Sequence, residues 1–126
     1  MLEKLTVFTL SSAMARHAAA RHNVIAQNVA HADTPGYRAR DVEDFSAVVN
    51  EGFTARRTRE GHLGWGSTPD RPEPFEIEMA DSPNGNSVNL ADQTRRAVEA
   101  RQSHALATAV YSKAVDLLRI GLGRTS

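Results

Sequence analysis

Alanine and the helix-breaking residues proline and glycine occupy different parts of this 126-residue chain. Of the nineteen alanines, eight lie in residues 1–32 and seven in residues 89–126, whereas residues 33–88 hold four. All five prolines and six of the eight glycines fall between Pro35 and Gly85. Because alanine favours helices and proline and glycine interrupt them, this division predicts a helix at each end and an irregular middle.

The N-terminal helix is predicted over residues 1–32. Apolar side chains recur along one side of it at steps of four and seven, at Leu10, Met14, Ala18, Ile25 and Val29. The sequence Asp33-Thr34-Pro35-Gly36 ends it, because the residue before a proline favours extended backbone and Pro-Gly favours a turn.

The C-terminal helix is predicted over residues 89–126, and most of its circumference is apolar towards its end. Steps of three and four give a heptad seam at Thr94, Ala97, Arg101, His104, Thr108, Tyr111, Val115, Leu118 and Leu122. Leu106, Val110, Leu117 and Ile120 lie outside that seam. A helix that is apolar on several faces needs more than one neighbour to cover it.

The middle of the chain offers little cover for these faces. Residues 74–79 alternate apolar and acidic side chains and predict a strand, residues 37–42 an extended segment, and residues 43–52 a short helix. Residues 54–72 show no periodicity and predict a mobile loop. The fold class is therefore mainly α, with a short irregular middle that contains β structure. We expect other subunits to cover the remaining apolar surface; the alternative is a helical hairpin that exposes it.

Motifs for catalysis or cofactor binding are missing from the sequence. It has no glycine-rich phosphate loop, no H-E-x-x-H and no G-x-S-x-G, and it has no cysteine. His17 and His22 are five residues apart, about 140° around a helix, and do not form the one-face pair of a metal site. We therefore predict no enzyme activity, no cofactor and no metal; the competing hypothesis is a small metal enzyme that uses His17, His22 and His31.

Charge and hydropathy argue against nucleic acid and membrane as partners. Fifteen basic residues balance fifteen acidic ones, and Arg56-Arg57-Thr58-Arg59 and Arg95-Arg96 are short runs without interleaved aromatics. No apolar run approaches the roughly 20 residues of a membrane span. The apolar run Leu5–Leu10 is too short for a secretory signal peptide, and Glu3 offsets Lys4, so no cleaved signal is expected.

Residues 23–37, NVIAQNVAHADTPGY, closely resemble the N-terminal signature of bacterial flagellar rod and hook proteins, in which N-x-A-N-x-x-T-P-G-Y closes the first helix. The residues that carry the match at the turn are Asn28, Asp33, Thr34, Pro35, Gly36 and Tyr37. Residues 37–45 and 83–90, together with the short length, resemble the proximal rod members of that family. The likeness covers both ends and most of the chain, with residues 54–72 excepted.

The resemblance implies a structural subunit of the flagellar basal body. Its terminal helices would pair as one coiled-coil core domain and pack against copies of the chain and other rod proteins in a helical assembly, in contact also with the rod-to-membrane-ring adaptor. It would reach the periplasm through the flagellar type III export apparatus. The assembly interface would use Leu10, Met14, Ile25, Val29, Leu106, Val110, Tyr111, Val115, Leu118 and Leu122. The alternative is a small cytoplasmic helical adaptor that binds one partner helix.

Overall fold

The computed structural model describes residues 2–50 and 72–123, and two long helices dominate it. The N-terminal helix spans Leu2–Ala30 and the C-terminal helix spans Leu90–Leu122. The mainly helical fold predicted from the alanine distribution is confirmed. The predicted loop at 54–72 lies outside the described residues except for Pro72.

Side chains and backbone groups at the helix termini explain these bounds. Asn89 is the N-cap of the C-terminal helix, and its side chain accepts a hydrogen bond from the Asp92 backbone N–H. Gly123 closes the same helix with a 2.7 Å bond from its N–H to the Arg119 carbonyl. At the end of the N-terminal helix, the His31 N–H is shared between the carbonyls of Gln27 and Asn28.

The two helices pack antiparallel along a seam of small residues. Asn28 contacts Gln93 at the end near the middle segment, here called the closed end. Phe8 meets Tyr111 edge-to-face at 5.2 Å between ring centroids, towards the open end. The buried residues of the seam recur every seven positions in each helix: Ser11, Ala18 and Ile25 on one side, and Gln93, Ala100, Ala107 and Ala114 on the other. Paired helices with one heptad seam confirm the coiled-coil expectation.

The seam of the C-terminal helix differs from the predicted one by one residue. Thr94, Arg101 and Thr108, which the heptad pattern placed inside, are exposed, and Gln93, Ala100 and Ala107 are buried in their place. The prediction favoured the register that buries the large residues Val115 and Leu122. The chain instead turns its alanines inward, because small side chains let two helices approach closely.

The middle segment packs on the closed half of the helix pair. Strand β1 (Arg40–Asp41) pairs antiparallel with β2 (Phe75–Glu76), and residues 45–50 are helical. The predicted six-residue strand at 74–79 is thus only two residues long, with the Ile77 N–H giving one more bond to the Ala39 carbonyl. His17 anchors the N-terminal helix to this segment through a 2.6 Å contact between its Nε2 and the Glu43 carbonyl.

The open half of the helix pair exposes large apolar side chains. Leu106, Val110, Leu117 and Ile120 are between 38% and 58% exposed. Neither helix of the described chain has the length and hydropathy required to cross a bilayer. Within residues 2–50 and 72–123, the chain therefore leaves part of its own apolar surface uncovered, as expected from the sequence.

Candidate assembly surface and the turn that orients it

Asn28, in the last turn of the N-terminal helix, joins three parts of the fold. Its side chain is fully buried. Its Nδ2 donates to the Arg40 carbonyl at 2.7 Å and to Gln93 Oε1 at 2.9 Å, and its Oδ1 accepts from the Arg40 N–H at 3.1 Å. One amide therefore fixes the first helix to strand β1 and to the start of the last helix. A side-chain amide suits this position because it donates and accepts at the same time.

Asn86 performs the corresponding function from the other side of the turn. It is buried, and its Nδ2 donates to the carbonyls of His31 and Thr34 at 2.8 and 2.7 Å. Its Oδ1 accepts from the Val88 N–H at 2.8 Å. Two carbonyls of the turn that follows the first helix are thus bound by the segment that leads into the last one. Residues 83–90 carry part of the family likeness, but their pattern does not predict these bonds of Asn86.

Gly36 and Gly85 place two turns back to back. Both have positive φ, +75° and +81°, a conformation that side chains disfavour. A Cβ built on Gly85 would lie 3.4 Å from the Gly36 Cα, and the Gly36 N–H donates to the Asn84 carbonyl at 3.0 Å. The predicted turn residue Gly36 therefore lies where the backbones of the two turns contact each other. The ring of Tyr37, the next residue, stacks on His31 with 4.6 Å between ring centroids.

The remaining predicted turn residues lie on the surface. Asp33, Thr34 and Pro35 are exposed, and Thr34 is tied to the turn by its carbonyl and by a 3.2 Å contact of its hydroxyl with His31 Nδ1. Of the six residues that carry the family likeness, Asn28 alone is buried. The exposed members shape the backbone and leave their side chains to solvent.

Six charged side chains form an ion-pair ring beside Asn28. Three arginines alternate with three carboxylates: Arg21, Asp41, Arg96, Asp92, Arg95 and Glu99. Asp41 is buried and receives Arg21 on both oxygens, at 3.1 and 3.2 Å, together with Arg96 and the Val42 N–H. Arg95 and Arg96 have their ion-pair partners within their own chain.

The ring shifts the pKa of Asp92 and of Arg21 in the directions expected for paired charges. Burial alone would raise the pKa of Asp92, but hydrogen bonds from Arg96 and Arg95 outweigh it, and the pKa lies below its ordinary value. Burial would lower the pKa of Arg21, yet the contacts with Asp41 and Glu99 raise it. The ion pairs of Asp41 with Arg21 and Arg96 hold β1 against both helices.

Beyond the ring, the same flank of the C-terminal helix is apolar. We define the apolar stripe as Leu106, Val110, Leu117 and Ile120, which follow one another at four, seven and three residues and so share one face. Val7 of the other helix joins Val110 and Leu117 around an open groove of about 320 Å³. Lys113 is the one charged residue that borders this groove.

The predicted interface residues fall into three groups. Leu10, Val29, Leu106, Val110, Tyr111 and Leu122 are exposed large side chains, and Met14, Val115 and Leu118 are half-buried. Ile25 is 3% exposed, so its own chain already covers it, and another subunit does not reach it in this arrangement. The exposed members, together with Leu117 and Ile120, form the candidate assembly surface.

The histidines of the metal-enzyme hypothesis lie apart. His17 packs on Phe45, His31 on Tyr37, and His22 is exposed. Within residues 2–50 and 72–123, no three His, Asp or Glu side chains are grouped as metal ligands would be.

Comparison with known proteins decides the family. Over 112 residues, which are 83% of this chain and 84% of the relative, the chain is 30% identical to the flagellar basal body rod protein FlgB of Agrobacterium fabrum. The chain belongs to the FlgB family of flagellar rod proteins. No protein-family model matches it.

For a FlgB-family chain, the division of its surface has a clear meaning. The turn and the ion-pair ring are polar, satisfied and largely internal, whereas the apolar stripe is exposed. A structural protein works through the surfaces that contact its neighbours. Among the described residues, the stripe is the surface that most requires a partner.

Proposed function

We propose that this FlgB-family chain is a structural subunit of the proximal rod and that it polymerises through its terminal helices, with copies of itself and with other rod proteins, to build the drive shaft of the flagellum. It acts without catalysis or cofactor, in the periplasm, after export through the type III apparatus without a cleaved signal peptide. The rod-to-membrane-ring adaptor is a further partner.

The observation that carries this proposal is the exposed apolar stripe on a helix pair that is already closed. Leu106 and Leu117 are each 57% exposed. Covering either side chain contributes about 1–1.5 kcal/mol, which is that exposed fraction of the free energy gained when a leucine is fully buried. Four such side chains per subunit, repeated along a polymer, stabilise it substantially. Contacts between unlike patches that do not close into a ring generate filaments, which suits a rod.

Leu106→Asp tests the proposal, because the exposed side chain contributes little to the fold of the single chain. We expect the circular dichroism spectrum and melting temperature of the purified variant to match those of the parent. In a strain whose own gene is deleted, we expect the variant to be absent from isolated basal bodies and the cells to be non-motile. Ser112→Asp, an exposed position about 120° around the same helix from Leu106, is the matched control and should assemble.

Two results would contradict the proposal. Normal motility with Leu106→Asp would show that the stripe is not an assembly contact. A parent protein found solely in the cytosolic fraction, bound to one partner, would favour the cytoplasmic helical adaptor instead. Amino-terminal sequencing of the basal-body fraction tests the absence of a cleaved signal.

A further inference from the structure

The helix seam by itself does not specify one alignment of the two helices. Ser11 and Ala18 on one helix and Ala100, Ala107 and Ala114 on the other are all small, and within each helix they are seven residues apart; Ile25 is the one large apolar residue among the buried seam positions named above. Sliding one helix along the other by seven residues again places small side chains opposite small side chains. Such a slip changes the axial position by about 10 Å, at 1.5 Å for each residue.

The closed end of the seam is different, because Asn28 and Gln93 are buried there and bonded to each other. Asn28 is completely buried, Gln93 is 1% exposed, and the bond from Nδ2 to Oε1 is 2.9 Å long. A slip by seven residues sets Asn28 opposite Ala100 in one direction and Gln93 opposite Arg21 in the other, so the amide that stays inside the helix pair loses its partner. An unpaired buried amide is strongly unfavourable, so this pair penalises every alignment except the observed one.

The same pair carries a cost to stability. Gln93 Nε2 is buried and has no hydrogen-bond partner among the described residues. Asn28 would keep its two bonds with Arg40 if Gln93 were apolar. A methionine of similar size would remove the unpaired Nε2 donor but leave unpaired the Asn28 N–H that Gln93 Oε1 accepts, so the net change in stability should be small. A glutamine that contributes little to stability but bonds its partner in one alignment has the properties of a selecting residue.

We propose that the buried Asn28–Gln93 pair selects the register of helix pairing, so that shifted pairings, within one chain or between the similar helices of two copies, are rejected. This inference does not depend on where the protein assembles. It assigns to Gln93 a contribution to pairing specificity that exceeds its contribution to stability. The ion-pair ring and the turn are the competing sources of register, because Arg21 and Arg96 also cross between elements and Asn86 ties the end of the first helix to the start of the last.

Gln93→Met tests the proposal, with Gln102→Met as the matched control at an exposed position of the same helix. The chain has no cysteine, so Gln27→Cys and Ser112→Cys give two unique sites for spin labels on the full chain. Electron paramagnetic resonance then measures the distance between the helices, and light scattering measures the mass of the particle.

For Gln93→Met we expect a melting temperature close to that of the parent, because each chain has one unpaired buried amide. We also expect a second distance population displaced by about 10 Å, or a new species of higher mass. The control should keep the single distance and the monomer mass. A Gln93→Met chain with one unchanged distance and unchanged mass would overturn the proposal and leave register to the ion-pair ring and the turn. A melting temperature far below that of the parent, or a parent with several distances, would overturn it as well.

Discussion

Asp41→Asn should destabilise the helix pair much more than removal of an exposed carboxylate. Asp41 is buried and its oxygens receive Arg21 and Arg96, whose side chains are only 13% and 18% exposed. Removing one partner of a buried ion pair costs about 3–5 kcal/mol. Both arginines keep a second carboxylate, Glu99 and Asp92, which reduces the expected loss to about 2–3 kcal/mol by the same principle.

Urea unfolding followed by circular dichroism measures this loss. With a dependence of about 1–3 kcal/mol per molar urea, the midpoint should fall by roughly 0.7–3 M. Asp81→Asn is the matched control, because Asp81 also pairs with an arginine, Arg38, but both side chains are exposed and such pairs contribute at most about 1 kcal/mol. Equal losses for the two variants would refute the argument that burial makes the Asp41 contacts important.

Two further predictions concern acid and the turn. The pKa of Asp92 is lower in the folded chain than in the unfolded one, so its stabilising contribution is complete above about pH 4 and is lost as the pH falls further. Asp92→Asn should therefore reduce the fall in melting temperature between about pH 4 and lower pH. An unchanged fall in melting temperature would contradict this. Gly85→Ala should cost about 1–2 kcal/mol of unfolding free energy from its positive φ, since the added Cβ would lie 3.4 Å from the Gly36 Cα, an ordinary van der Waals distance. Gly36→Ala, which also has positive φ and no atom within 4 Å of an added Cβ, should lose a similar amount, and a Gly85→Ala chain as stable as the parent in denaturant titrations would contradict this.

The sequence was sufficient to predict the helices, because their signals are local. Alanine content and the Pro35-Gly36 turn act within a few residues, and the observed ends, Ala30 and Leu122, lie close to the predicted ones. The alignment of the seam was predicted wrongly by one residue. Ala107 and Thr108 are neighbours of similar size, and the choice between them depends on the opposite helix, about which a single helical pattern carries no information.

The polar contacts of the turn and of the ring were the least predictable part. Asp41 and Arg96 are 55 residues apart in sequence, and nothing local marks Asp41 as buried. Asn28 was singled out through a family likeness, and its bonds to Arg40 and Gln93 appear only once three segments are in place. The exposed stripe, by contrast, followed from composition, since the chain has too few large apolar residues to cover it.

The alanine seam and the apolar stripe should tolerate substitution in opposite ways under different selections. Enlarging Ala18 or Ala100 pushes two closely packed backbones apart, so a library screened for a folded, soluble chain should keep these positions small. The same screen should accept polar residues at Leu106, whereas a library screened for swimming cells should reject them. Positions fixed in both screens would then belong to the fold, and positions fixed in the second screen alone would map the subunit contacts without a structure of the polymer.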